Sequence, residues 1–160
     1  MDSNKTGRIA YIGIRPVKNG EVDFVESAEV NTANGLVGDH YKGSSGKRQL
    51  TLILEDQLAY AIDQLQIDSI RPEQTRRNIL VSGLRSEEVK AGDNWSLGNE
   101  VVIEITGPCR PCDKMNQTIG PGAKEAMENR GGFTARIIKG GEIRIDDPFE
   151  IANSPVEKVE

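Results

Sequence analysis

The chain is written mostly in short β-type runs, and that density of short strands narrows its folds more than any other feature. Residues 8–14 (RIAYIGI), 22–25 (VDFV), 49–54 (QLTLIL), 78–82 (NILVS) and 101–106 (VVIEIT) carry β-branched or aromatic side chains between glycine, proline and polar turn residues. Residues 134–138 (TARII) and 142–145 (EIRI) flank Lys139, Gly140 and Gly141, which predicts a β-hairpin with Arg136 and Arg144 alternating with apolar positions. Two segments have a helical signature. Within residues 55–65, Leu58, Ala61, Ile62 and Leu65 share one face at i, i+3, i+4 and i+7, and residues 122–129 form a second, shorter helix. Strands this closely joined do not make repeated βαβ units, and no glycine-rich phosphate loop follows a strand, which argues against a doubly wound nucleotide fold. The expected fold class is mainly β, a closed or nearly closed barrel with peripheral helices.

At 160 residues the chain suits one domain, expected over residues 7–152 with flexible termini at 1–6 and 153–160. No apolar window is long enough for a membrane span, and the N-terminus lacks the pattern of a secretory signal, so a cytoplasmic location is expected. A net charge of −5 does not favour bulk nucleic-acid binding. Neither nucleic acid nor membrane is an expected partner. The arginines nevertheless fall in short clusters, Lys47 with Arg48 and Arg71 with Arg76 and Arg77, a pattern better suited to one small anion than to a polyanion.

Chemistry concentrates where the strand ending at Thr106 runs into Gly107, Pro108, Cys109, Arg110, Pro111 and Cys112. The two prolines stiffen this loop, and residues 113–117 open a helical turn after it. A cysteine at such a turn, with Arg110 and Lys114 nearby, is placed to have its thiolate stabilised, as a nucleophile or soft-metal ligand requires. Two cysteines are too few for a disulfide scaffold, and with His40 as the one histidine a zinc site would need carboxylates. A thioredoxin-like pair would want a βαβ context. Cys109 could instead resolve a persulfide or sulfenate on Cys112, or either cysteine could be a buried structural residue. Arg76 and Arg48, each leading into an apolar strand, can present a guanidinium to a phosphate at the barrel mouth, and Asn78 offers a donor and an acceptor to a heterocycle edge. Surface solvation is the competing reading for all of these. GLVGDH (35–40) is a glycine turn displaying Asp39 and His40, and Gly131-Gly132 either lets backbone approach a ligand or simply turns. The residues alone define a β-rich domain with a reactive thiol and an anion site, without choosing between Cys109 and Cys112.

Taken in order, GLVGDH (35–40), KRQLT (47–51), RRNILVSG (76–83), TGPCRPC (106–112), IGPG (119–122), RGGFTAR (130–136) and GGEIRID (140–146) resemble the MOSC domain, the family named for the C-terminal domain of molybdenum-cofactor sulfurases. The likeness runs from about residue 7 to 152 and is to a stand-alone member of bacterial type. It implies a MOSC-type β-barrel that binds the molybdenum cofactor (molybdopterin). Members are cofactor sulfurases or reductases of small N-oxygenated compounds. In the reductases a cysteine after a short stretch containing proline and arginine ligates the metal, and the matching position is Cys112. Arg76 and Asn78 match an Arg-x-Asn element that holds the pterin, and Lys47, Arg48 and Arg136 are implied partners of its phosphate. The implied partners are a small-molecule substrate and an electron-donor protein. The alternative is a sulfur carrier holding a persulfide on Cys112, supplied by a cysteine desulfurase. The chain has no counterpart of the sulfurases' aminotransferase-like domain, so no pyridoxal phosphate is expected, and none of the reductases' companion N-terminal barrel.

Overall fold

A computed structural model describes residues 6–18, 20–40 and 46–152. Its strands are β1 (Thr6–Ile14), β2 (Asp23–Phe24), β3 (Ser27–Asn31), β4 (Gly35–Leu36), β5 (Leu50–Leu54), β6 (Ile79–Ser82), β7 (Asn94–Leu97), β8 (Val101–Pro108), β9 (Phe133–Lys139), β10 (Gly141–Arg144) and β11 (Pro148–Ile151). The helices are α1 (Glu55–Leu65), α2 (Lys114–Thr118) and α3 (Ala123–Ala126). Seven strands run in the order β11-β7-β8-β9-β5-β6-β1, and pairing of β1 with β11 closes them into a barrel. β2 extends from β1, and β10, β3 and β4 form a separate three-stranded sheet.

Alternation explains the barrel wall. Along β8, Val101, Ile103 and Ile105 point inward and are fully buried, while Val102 and Glu104 between them are partly exposed. Trp95 and Phe149 stack across β7 and β11 at 4.9 Å inside the same core. β5 is buried on both faces. Leu50, Leu52 and Leu54 enter the barrel, whereas Ile53 faces outward against Leu58 and Ala61 of α1 and Met115, Ala123 and Met127 of the α2–α3 segment. β5 and β6 are the parallel pair, and α1 is the crossover that a parallel connection requires. α1 begins directly after β5, where Gln57 Oε1 accepts the Leu54 N–H at 3.0 Å, and it ends on Gln66 at φ 56°. The helical layer therefore sits against β5 and β6, with α2 following the cysteine loop at the end of β8.

Three expectations change. The predicted hairpin does not form: β9 pairs with β8 and β5, and β10 pairs with β3. Both edges of β9 are already hydrogen-bonded in the barrel wall, so β10 has no edge to join there. The chain instead crosses to the small sheet at Gly140, where a Cβ would lie 2.5 Å from the Val30 carbonyl oxygen. The second helix is shorter than residues 122–129 and occupies Ala123–Ala126. Thr6, expected in a flexible terminus, opens β1 opposite Glu150, and the rest of that expectation (residues 1–5 and 153–160) lies outside the described residues. Strands β3, β4, β7 and β11 carry no strong sequence signal of their own. No helix among the described residues is long and apolar enough to cross a membrane.

Candidate functional site: a cysteine loop set among arginines

The cysteine loop is built on the last pairings of β8 and β9. Ladder contacts persist to Pro108 opposite Phe133, and the Cys109 N–H donates to the Gly132 carbonyl at 2.8 Å. The Gly131-Gly132 pair is there for close backbone packing. A Cβ on Gly131 would come 2.5 Å from the Cys109 carbonyl oxygen, and one on Gly132, at φ 100°, would collide with the Leu52 carbonyl.

Arg77 locks this loop from beneath. Its side chain is buried among backbone carbonyls: Nε donates to Gly131 at 2.6 Å, Nη2 to Arg110 at 3.2 Å and to Cys109 at 3.5 Å, and Nη1 to Thr75 at 3.4 Å. Burial lowers its pKa from the ordinary arginine value, the sulfurs of Cys109 and Cys112 act in the opposite sense, and Arg15 and Arg48 add to the lowering. The guanidinium stays charged. On the far side of the loop, the fully buried Met115 pins α2 in the helical layer, and its N–H donates to the Cys112 carbonyl at 2.9 Å.

This framework separates the two cysteines, which local residue pattern left undivided and the family resemblance resolved toward Cys112. Cys109 is 2% exposed, with its sulfur 4.0 Å from Arg48 Nη2, whereas Cys112 is exposed.

A second group of residues, Arg15, Asp39 and Arg76, is held together by its own hydrogen bonds. Arg76 takes φ 62° and its Nη1 donates to the Gly20 carbonyl at 2.6 Å. Burial and the neighbouring Arg15 lower its pKa, while Cys112 and Asp39 counter them, which puts Cys112 within electrostatic reach of Arg76. Arg15 forms a bidentate pair with Asp39. Burial alone would raise the Asp39 pKa, but the hydrogen bonds and charge of Arg15, with the Asn78 amide, outweigh it and hold the carboxyl below its usual range. His40, whose N–H donates to the Arg15 carbonyl at 2.7 Å, has its pKa lowered by burial and by Arg15.

A cleft of about 540 Å³ opens beside Arg76 and Lys114, walled by Gly20, Val22, Gln74 and Gln117. Behind it, the buried Tyr11 hydroxyl has no hydrogen-bond partner among the described residues, and burial, Glu73 and Asp23 raise its pKa to about 12. A second hollow of about 480 Å³ is lined by Cys109, Arg110, Lys124 and Glu128, so the cysteine loop forms one of its walls.

Of the residues predicted from sequence, Cys112 and Arg76 influence one another through charge, and Arg48 stands at Cys109. Asn78 does not face the cleft. It is fully buried, with Oδ1 accepting from the Thr51 N–H and hydroxyl and Nδ2 donating to Gly13 and Asp39, so it acts on the site only through Asp39. Lys47 and Arg136 lie along the β8–β9 wall. The Lys47 carbonyl accepts from Thr106 Oγ1 at 2.6 Å, and Arg136 pairs with Glu104 at 3.2 Å. Sequence reasoning missed Arg15 and Tyr11, and it gave no role to the burial of Arg77. The signal for Arg15 was slight: a charged residue ending an apolar strand, directly before Pro16. Among the described residues no group of three or more His, Cys, Asp or Glu could hold a metal unaided.

A closed barrel that presents one exposed thiol on a stiff loop clamped by a buried arginine defines a class of thiol-bearing β-barrel domains. The chain belongs to the MOSC domain family, whose profile matches residues 30–150. Among solved structures, the YUAD protein from Bacillus subtilis superposes with a TM-score of 0.81 at 16% identity, covering 94% of this chain and 98% of that one. YiiM from Geobacillus stearothermophilus gives a TM-score of 0.73 at 16% identity, over 92% of this chain and 75% of that one. YiiM from Escherichia coli gives 0.69 at 22% identity, over 92% and 70%. These likenesses concern the fold. A protein named Reductase from Gibberella moniliformis (strain M3125 / FGSC 7600) is 30% identical over 84 residues, which make up 51% of this chain but only 15% of that protein.

Proposed function

We propose that the protein binds the molybdenum cofactor, with Cys112 as the protein ligand to the metal, and reduces small N-oxygenated bases. The observation that carries this reading is the exposed Cys112 thiol on a loop that the buried Arg77 fixes through its backbone carbonyls. The donor set fits the group. A soft thiolate suits molybdenum, and a lone protein ligand suits a metal whose other ligands arrive with an organic cofactor. Arg76 and Arg48 offer planar forks to phosphate oxygens, and Lys47 and Arg136 extend the basic surface along β8 and β9. Membership of the MOSC family and the partial likeness to a protein named as a reductase point the same way.

The bound cofactor would supply the metal at which oxygen is removed from the substrate. Releasing that oxygen as water consumes two electrons and two protons, the electrons coming from a separate donor protein. This chain's residues bind and orient: the Arg77 clamp keeps the loop in place, Lys114 and Gln117 line the cleft beside it, and Arg76 fixes the anionic end of the cofactor.

Molybdenum and pterin analysis of protein made in a cofactor-competent host tests the reading. Wild type and Cys109→Ser should both contain molybdenum and pterin, and Cys112→Ser should retain several-fold less molybdenum than either. Wild type lacking both, beside a loaded molybdoenzyme control, would refute it.

A second reading draws on the exposure of Cys112 together with a cysteine three residues before it. Cys112 would then carry a persulfide from a cysteine desulfurase for delivery to a metal cofactor. Mass spectrometry after incubation with a desulfurase and cysteine would show about one added sulfur on Cys112, and an unmodified mass would count against it.

A further inference from the structure

Arg15, Asp39, Arg76 and Asn78, drawn from three separate parts of the sequence, join in one hydrogen-bonded group that reaches the cleft through the Arg76 side chain. The Asp39 side chain is 1% exposed. It accepts Arg15 Nε at 3.1 Å, Arg15 Nη2 at 2.9 Å, the Arg15 backbone N–H at 2.7 Å and Asn78 Nδ2 at 3.2 Å. A planar guanidinium held along one edge by a carboxylate has its orientation fixed. That orientation turns Nη1 of Arg15 onto the carbonyl oxygen of Arg76 at 3.2 Å.

Arg76 is held at both ends. Its backbone lies in the left-handed region at φ 62°, which long L side chains adopt only when the surroundings impose it. Its guanidinium is tied to the Gly20 carbonyl at 2.6 Å, and it lines the cleft together with Lys114. A buried carboxylate–guanidinium pair gives little stability over a well-packed apolar pair. The pair here sits where it fixes a strained residue of the candidate site.

We infer that Arg15 and Asp39 are positioning residues, which hold Arg76 in its left-handed conformation and so set how tightly the site binds the anionic end of its ligand. The inference rests on the reading of Arg76 as an anion contact. Its consequence is that Arg15 acts through Arg76, so the two effects are not independent.

A double-mutant cycle tests this, with two probes: molybdopterin released from a donor molybdoenzyme, and inorganic phosphate, each titrated into cofactor-free protein. Arg76→Ala should weaken binding of both by about tenfold or more, as loss of a charge-assisted contact does. Arg15→Lys keeps a cation against Asp39 but cannot span to the Arg76 carbonyl as well, and should weaken binding about tenfold. The Arg15→Lys, Arg76→Ala double variant should bind no more weakly than Arg76→Ala alone. Asp39→Asn should follow Arg15→Lys, and circular dichroism establishes that each variant is folded. Wild-type affinity in folded Arg15→Lys would overturn the inference, as would an Arg15→Lys effect that persists in full in the Arg76→Ala background. If phosphate shows the expected order but molybdopterin does not bind wild type, the positioning role stands and the cofactor reading fails. If neither probe responds to Arg76→Ala, both fail.

Discussion

Cys109 and Cys112 share a loop and a residue type, yet the fold buries one and exposes the other, and the difference comes from what their neighbours hold. Cys109 continues the β8–β9 ladder through its bond to Gly132, whereas Cys112 stands past Pro111, where that ladder has ended. A glycine–proline–cysteine string shows that a thiol is present, but its exposure depends on β9, some twenty residues further on. Asn78 makes the same point in reverse. As a polar residue entering a strand it reads as a ligand contact, but its complete set of internal hydrogen bonds becomes visible only once Thr51, Gly13 and Asp39 are around it. The electrostatics of this group can be read through His40, the one histidine of the chain. Burial, Arg15 and Arg76 disfavour its protonated form, while Asp39 favours it. Its imidazole proton resonances should therefore titrate with a midpoint below the 6.5 of an unperturbed histidine. Asp39→Asn should move the midpoint lower still, because it removes a carboxylate that supports the cation. A midpoint at or above 6.5 in the wild type would contradict this arrangement of charges.

At the scale of elements, local pattern located strands well and partners poorly. α1 was legible to the residue because its apolar face must cover Ile53 of β5, and each such side chain buried contributes roughly 1.5–3 kcal/mol. The predicted β9–β10 hairpin failed because the turn signal at Lys139-Gly140-Gly141 is real while the partner of each strand is decided by the closed barrel. The loop clamp was equally hidden, since the carbonyls that Arg77 binds come from Thr75, Cys109, Arg110 and Gly131. Arg77→Met would keep much of the side chain's length but leave those carbonyls without a buried donor. We expect a loss of about 2–4 kcal/mol in unfolding free energy, together with faster amide hydrogen exchange across residues 107–113. Unchanged exchange there would show that the loop is held by other means.

For the whole molecule, the density of short, closely joined strands with few helices between them was enough to anticipate a barrel, because a sheet with one apolar face closes on itself to bury it. The site was only partly legible, since it gathers residues 15, 39, 48, 76, 77, 109 and 112 from five separate segments of a chain whose net charge is −5. On the proposed function, arginines gathered in this region of an otherwise acidic protein would direct a small anion there rather than to the surface at large. The MOSC fold thus supplies a rigid wall, an exposed sulfur and a cationic surround, and the proposed cofactor chemistry depends on that sulfur reaching the metal. X-ray absorption at the molybdenum edge addresses that point directly, on wild type and Cys112→Ser loaded with the cofactor under identical conditions. The account predicts one fewer sulfur neighbour around molybdenum in Cys112→Ser than in wild type. An identical sulfur shell in the two proteins would contradict it.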